Sequence, residues 1–235
     1  MSRLILDIET VGKDLDSFDD MSKDYLLKFA KTEEDIQEVK DSLSFYPLTG
    51  EIVAIGILNP DTDRGAVYYQ SPQIPQSGEL FTLDAPQYEE DGFKFIPGSE
   101  REIIERFWET VKNYSHIITF NGRGFDCPFI IVRSAILKIK PAKDLMPNRY
   151  NDSHIDLLDQ LTFFGAVRRR FSLHMWCRAF GIKSPKEEGI TGYDVKSLFL
   201  EKRYLDIARY CTGDLKATKE LYNCWERYIR FQRGE

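Results

Sequence analysis

The sequence lacks several features that mark secreted and membrane proteins. It contains four cysteines and three histidines in 235 residues, and these lack the spacing of a zinc site. No apolar run approaches the roughly 20 residues of a membrane helix. Near the start, Asp7 and Glu9 interrupt the apolar stretch, so a signal peptide is not expected. We therefore expect reduced thiols, no membrane contact and a cytoplasmic location.

Positive charge is also scarce. The formal net charge is −6, which argues mildly against a protein that tracks nucleic-acid phosphates without specificity, because such proteins are usually basic. The one run of three basic residues is Arg168-Arg169-Arg170, close to Phe163, Phe164 and Phe171. Arginines beside aromatic rings suit a single nucleic-acid strand, although a charge run is more often a solvated surface.

Length and hydrophobic periodicity predict one α/β domain over residues 1–235. Apolar runs predict strands at about 3–8, 52–58, 66–70, 116–120 and 154–157. Helical patterns follow at about 99–113, 126–138, 172–181 and 204–231, with Ser99 and Glu102 forming a capping box. Residues 71–98 are rich in Pro, Gly and acids and are predicted to be irregular. Strands that alternate with helices after a hairpin indicate a mixed sheet.

Residues 13–44 form a predicted insertion of two short amphipathic helices. Met21, Tyr25, Leu26 and Phe29 mark the apolar stripe of the first helix, and Thr32 is a suitable N-cap for the second. The insertion follows Glu9 closely, so it is expected near the mouth of any site there. Two interpretations stay open. The helices either cover an edge of the core or limit substrates to short or frayed ends.

Four acids and one phenol from three distant segments form the most informative pattern. Asp7 and Glu9 end an apolar strand and share one face, because side chains alternate along a strand. Tyr210 and Asp214 share one helix face because they lie four residues apart. Asp126 follows the turn Asn121-Gly122-Arg123-Gly124, where it could equally be a helix N-cap. Clustered carboxylates suit Mg²⁺ or Mn²⁺.

These segments resemble the three motifs of the DEDD exonucleases, in the subclass with tyrosine in its third motif. The order, spacing and expected strand, turn and helix contexts all match. The chain is most similar to the proofreading exonuclease domain of family B DNA polymerases, specifically to its stand-alone bacterial forms. The resemblance extends to intervening positions and covers nearly the whole chain except the insertion. These positions are His154–Leu157, Ser172-Leu173, Phe180–Ile182, Ser184-Pro185-Lys186 and Gly192.

The resemblance implies a ribonuclease H-like fold with a mixed five-stranded sheet. It also implies hydrolysis of the 3′-terminal phosphodiester of single-stranded nucleic acid, with DNA favoured, releasing 5′-mononucleotides. Two divalent ions about 4 Å apart would take part. Asp7 would bridge them, Glu9 and Asp214 would complete one site, and Asp126 would hold the other. Tyr210 would orient the attacking water, and the substrate would contact Thr10, Asn121, Phe125, Arg168, Arg169 and Arg170.

There are three alternatives to a deoxyribonuclease. A haloacid-dehalogenase-type phosphatase is disfavoured because that family has a second aspartate where Glu9 stands. An exoribonuclease uses the same acids and stays open. A non-catalytic nucleic-acid-binding or protein-binding module on the same fold also stays open, although such modules are expected to lose an acid. Protein partners are unknown from sequence.

Overall fold

The computed structural model describes residues 2–71, 88–184, 192 and 194–231. Seven strands occur in this part of the chain: β1 (Arg3–Gly12), β2 (Gly50–Asn59), β3 (Arg64–Gln70), β4 (Tyr88–Glu90), β5 (Phe93–Gly98), β6 (His116–Thr119) and β7 (His154–Asp156). They form one sheet in the order β4-β5-β3-β2-β1-β6-β7. β1 pairs antiparallel with β2 and parallel with β6, so the sheet is mixed, as predicted.

Eight α-helices accompany these strands in the described residues: α1 (Asp20–Leu26), α2 (Glu33–Ser42), α3 (Glu100–Val111), α4 (Asp126–Ile136), α5 (Leu157–Leu161), α6 (Leu173–Phe180), α7 (Asp194–Leu200) and α8 (Tyr204–Tyr228). Thr32 and Ser99 each form a complete capping box at the start of α2 and α3. Both predicted caps are therefore confirmed. None of the helices in these ranges is long and apolar enough to cross a membrane.

The predicted strand count of five is wrong. All five expected strands are present as β1, β2, β3, β6 and β7, and β5 and β4 extend the sheet beyond β3. The two extra strands come from the stretch that composition marked as irregular. Phe93 and Phe95 lie on the same face of β5 and are 1% and 2% exposed, so alternating burial outweighs the turn-forming composition around them. The remainder of that stretch, residues 72–87, lies outside the described residues, as do Pro185 and Lys186.

Alternation along β1 decides which side chains reach each face of the sheet. Leu4, Leu6 and Ile8 belong to the apolar cluster that includes residues of α3 and α4. Ile5 belongs to the opposite cluster, which includes residues of α8. Because side chains alternate, Asp7 and Glu9 are on the face covered by α8.

The insertion folds as two short helices, as predicted, but the stripe on the first helix does not cover the core. Met21, Tyr25 and Phe29 are 83%, 78% and 83% exposed. The contact with the sheet is made further along the chain by Leu43, which is buried. A Cβ on Gly12 would lie 2.8 Å from Leu43 Cβ, so the glycine permits the insertion to pack directly on β1.

Candidate active site

The first part of the site is the end of β1. Asp7 lies opposite Gly56 of β2, and the register shifts between Glu9 and Thr10. Such an irregularity bends a strand locally and is common beside active sites. Asp7 is half-buried and Glu9 is buried, so both carboxylates are partly withdrawn from water.

Gly56 allows α8 to lie close to these acids. A Cβ at this position would be 2.5 Å from Cys211 Sγ and 2.7 Å from Leu215 Cδ1. A larger residue would therefore push the helix away from the sheet. Because α8 carries both Tyr210 and Asp214, the distance between the helix and the sheet sets where these two side chains meet Asp7.

Asp126 is the first residue of α4 and not its N-cap, which is Phe125. Its Oδ1 accepts a hydrogen bond of 3.0 Å from the backbone N–H of Ile8. The carboxylate is therefore tied to the strand residue that separates Asp7 from Glu9. The alternative role as a side-chain cap is wrong, because the side chain reaches across to β1.

The turn before α4 is held by Asp156. Its carboxylate accepts from the N–H groups of Asn121, Arg123 and Leu158 at 3.0, 2.9 and 3.0 Å. Asn121 has φ +64, a left-handed conformation that asparagine tolerates better than most residues. Asp156 thus joins the end of β7 to the turn that delivers Asp126 to the site.

Burial and mutual repulsion dominate the electrostatics of the four acids. Burial, followed by the charges of Asp214 and Asp126, raises the pKa of Glu9 well above its usual range. Asp7 has its pKa raised by burial and by all three other acids. Burial raises the pKa of Asp126 to about 7. These directions are what a cluster of like charges produces without a bound cation.

The phenol of Tyr210 lies within the same cluster. Burial raises its pKa first, the carboxylates of Asp214, Glu9 and Asp7 add to the rise, and its hydroxyl is hydrogen-bonded to Asp214. A phenol with a raised pKa remains protonated at neutral pH. Tyr210 is therefore suited to orienting a group by hydrogen bonding and poorly suited to removing a proton.

Cys211 was not identified from the sequence as part of this site. Its buried thiol lies 3.6 Å from Asp7 Oδ2, within reach as a weak donor. Its position next to Tyr210 was the available signal, but a lone cysteine in a helix is usually a small core residue. Gly56 and Asp156 act at a distance, and only the packing reveals their roles.

The donor set fits a hard divalent cation. Carboxylate oxygens of Asp7 and Glu9, together with Cys211 Sγ, all lie within 4.8 Å of one another. Asp126 and Asp214 are close enough to raise the pKa of both acids. An uncompensated group of carboxylates dominated by oxygen ligands favours Mg²⁺ or Mn²⁺ over softer ions.

The predicted substrate contacts lie in two places. Thr10 and Phe125 line a cavity beside Glu9 and Tyr210. Asn121 accepts a 2.9 Å hydrogen bond from Arg170 Nη2, so the basic run begins at the turn before Asp126. Arg168 and Arg169 are exposed nearby in the chain, and the guanidinium of Arg169 stacks over Phe171 at 4.9 Å.

Comparison with known protein families agrees with this geometry. Residues 91–233 match the family described as a predicted 3′-5′ exonuclease related to the exonuclease domain of PolB. The chain belongs to this family. The match includes Asp126, Tyr210 and Asp214 and begins after Asp7 and Glu9, so the assignment to the tyrosine subclass stays a prediction.

Curated relatives are much longer polymerases. The chain is 30% identical over 151 residues to the DNA polymerase epsilon catalytic protein of Emericella nidulans, a match covering 58% of this chain and 7% of that protein. It is 46% identical over 81 residues to DNA polymerase 1 of Sulfurisphaera ohwakuensis, covering 32% and 9%. The matches therefore span less than a tenth of each polymerase.

A solved structure shows the same fold. The family B DNA polymerase from the archaeon Pyrobaculum calidifontis aligns with a TM-score of 0.58 and 17% identity, over 96% of this chain and 24% of that one. The similarity extends over almost the whole chain, so the mixed sheet and its helices form a fold that also occurs within a family B polymerase.

Proposed function

We propose that the chain is a divalent-cation-dependent 3′-5′ exonuclease that hydrolyses the 3′-terminal phosphodiester of single-stranded DNA and releases 5′-mononucleotides. The observation that carries the proposal is the convergence of Asp7, Glu9, Asp126, Asp214 and Tyr210 from one strand and two helices. The family supports 3′-5′ exonuclease chemistry. The preference for single-stranded DNA and the identity of the product are part of the proposal.

Each acid has a definite part in this scheme. Asp7, Glu9 and Asp214 would hold one divalent ion, and Asp7 with Asp126 would hold a second. When bound, two such ions would supply an activated water and neutralise charge on the leaving oxygen. The hydrogen bond from Ile8 fixes the orientation of Asp126, and the close packing at Gly56 fixes the approach of α8.

Tyr210 orients the attacking water in this scheme. Its hydroxyl is already hydrogen-bonded to Asp214, so the oxygen is positioned and its lone pairs can accept from water. The raised pKa keeps the proton on the phenol. Deprotonation of the nucleophile therefore falls to other groups at the site.

The substrate strand passes over the turn before α4 and reaches the exposed arginines. The Arg170–Asn121 hydrogen bond supports this path because it places the basic run in direct contact with the turn that carries Asp126. A net charge of −6 and few basic residues imply few phosphate contacts. For a single strand, the slope of log affinity against log salt is then about −2 to −3.

Replacing Arg168, Arg169 and Arg170 with alanine tests that path. We expect weaker binding for all sequences and a shallower salt dependence, with an unchanged turnover rate at saturating substrate. Binding measured at several salt concentrations checks this. A triple variant that binds like the wild type places the strand on another face.

One assay tests the activity itself. The purified protein is incubated with 5′-labelled single strands of DNA and RNA in Mg²⁺, Mn²⁺ or EDTA. We expect a ladder that shortens from the 3′ end, faster on DNA and absent in EDTA. Faster trimming of RNA would identify an exoribonuclease. Binding without trimming under every metal condition would identify a non-catalytic module.

A further inference from the structure

A cavity of about 400 Å³ lies beside the acidic cluster, and residues of the insertion form part of its wall. The cluster side contributes Glu9, Phe125 and Tyr210. The insertion contributes Lys40, Asp41, Ser44 and Phe45. The volume is within the range of pockets that bind one small molecule. A feature at the mouth of the acidic site is therefore shaped by a segment outside the motifs.

The insertion corner, defined here as residues 40–46, is fixed to the catalytic strand. Thr10 Oγ1 donates a 2.8 Å hydrogen bond to the carbonyl of Ser44. Thr49 Oγ1 donates to the carbonyl of Leu43, also at 2.8 Å. A Cβ on Gly12 would lie 3.0 Å from Ser44 N, so the corner packs closely on β1. It is a fixed wall of the cavity, anchored one residue beyond Glu9.

An ion pair links the insertion corner to α7 beside the cavity. Lys196 Nζ lies 3.7 Å from Asp41 Oδ1, and the two side chains are about half exposed. Exposed pairs of this kind contribute little to stability, so a phosphate can displace the aspartate. Asp41 Oδ1 also accepts from Gln37 Nε2 at 2.9 Å, so it keeps one partner when Lys196 moves.

Phe45 supplies an aromatic surface on the same wall. Its side chain is 52% exposed although it lines the cavity. An aromatic ring that is left open to water beside a phosphodiester-cleaving site is suited to stacking with a nucleobase. Stacking tolerates any base, as an enzyme that removes successive nucleotides requires.

We propose that the insertion corner selects an unpaired 3′-terminal nucleotide. Phe45 contacts the terminal base, and Lys196 leaves Asp41 to contact that nucleotide's phosphate. The fixed wall leaves room for one nucleotide and none for its paired partner. This inference rests on the proposed exonuclease function and assigns its preference for single-stranded ends to the insertion.

The ion pair provides a test in which two variants move in opposite directions. Lys196→Met removes the phosphate contact, so the KM for an oligodeoxynucleotide with an unpaired 3′ end rises roughly tenfold with little change in kcat. Asp41→Asn frees Lys196, so the KM falls several-fold. If the pair were only structural, both variants would weaken binding equally. A shift of both KM values in the same direction, or in neither, overturns the exchange.

Phe45 is tested with a matched control. Phe45→Ala raises the KM for unpaired ends roughly tenfold and reduces the preference for unpaired over paired ends. Phe29→Ala, another exposed aromatic of the insertion that is 83% exposed and outside the cavity lining, leaves both unchanged. Equal effects of the two substitutions would overturn the role of Phe45.

A binding measurement separates this inference from the activity. An oligodeoxynucleotide with 2-aminopurine at its 3′ end is added to Asp214→Asn protein in Mg²⁺. Stacking on Phe45 quenches its fluorescence, and adding Phe45→Ala removes the quenching. If the wild type trims and the KM and quenching ignore Phe45, the inference fails and the exonuclease stands. If the wild type does not trim, the proposed function fails, and the quenching alone supports or overturns the pocket.

Discussion

At the scale of single residues, the acidic cluster makes the strongest prediction. Asp7→Asn keeps the size and shape of the side chain and removes one of the charges that repel one another. We expect trimming of single-stranded DNA to be abolished, because the variant loses a cation ligand, while the metal-free protein becomes more stable to heat. Activity assays and thermal unfolding in EDTA measure the two effects. An Asp7→Asn protein that trims at the wild-type rate contradicts the assigned site.

Tyr210 separates orientation of the nucleophile from binding. Tyr210→Phe keeps the ring packing and removes only the hydroxyl that bonds to Asp214. We expect kcat to fall by roughly 10²–10⁴-fold, the range typical of a lost positioning or acid–base group. KM and the melting temperature should change little. Single-turnover kinetics measure the chemical step, and an unchanged rate would make Tyr210 a packing residue.

The residues that could be predicted from sequence are those whose chemistry is unusual in its local context. Paired acids at the end of an apolar strand, and an acid four residues from a tyrosine, are visible without coordinates. Cys211 and Gly56 were not found because their importance arises from contact between β2 and α8, which are about 150 residues apart in sequence. No local pattern records such a contact.

At the scale of elements, the turn before α4 depends on Asp156. Asp156→Ala leaves three backbone N–H groups without their acceptor, in a region where Asp156 itself is 1% exposed. We expect a loss of about 3 kcal/mol of stability and a lower kcat, because Asp126 is displaced. Urea unfolding and trimming rates measure these effects.

Asp144 offers a control for that substitution. It also accepts a backbone N–H, from Met146 at 2.8 Å, but it is exposed. Asp144→Ala should therefore change stability by less than about 1 kcal/mol and leave trimming intact. Equal effects at Asp144 and Asp156 would show that the turn does not need its buried acceptor.

Most elements could be predicted because their signals are local. The boxes at Thr32 and Ser99 and the hairpin β2–β3 each follow from a few neighbouring residues. β5 was missed because its evidence is burial against α8, and a composition rich in turn residues obscured it. The stripe of α1 was visible, but amphipathicity cannot tell whether the apolar face meets the core or the solvent.

At the scale of the whole molecule, the acidic cluster couples stability to pH and to cations. The folded-state pKa values of Asp7, Glu9 and Asp126 are raised above their usual values. Between the unfolded value near 4 and the raised folded values, the folded protein binds more protons than the unfolded chain. Stability from this cluster therefore falls as pH rises through that window, which for Asp126 extends to about 7.

His154 acts in the opposite direction. Burial lowers its pKa to about 4, so it removes stability as pH falls below its unfolded value near 6.5. The wild type and an Asp126→Asn variant share His154. The difference between their melting temperatures therefore isolates the cluster, since the asparagine can still accept the hydrogen bond from Ile8.

We expect the metal-free wild type to lose more stability than Asp126→Asn between pH 5 and pH 8. Mg²⁺ should restore that loss mainly at pH 8, because it binds the deprotonated carboxylates of the folded state. At a concentration about 100 times its dissociation constant, the gain is about 2.7 kcal/mol. Thermal unfolding of both proteins at the two pH values, in EDTA and in Mg²⁺, checks this. A wild type stabilised equally by Mg²⁺ at both pH values, or one whose pH profile matches that of Asp126→Asn, would show that the four acids do not form a cation site.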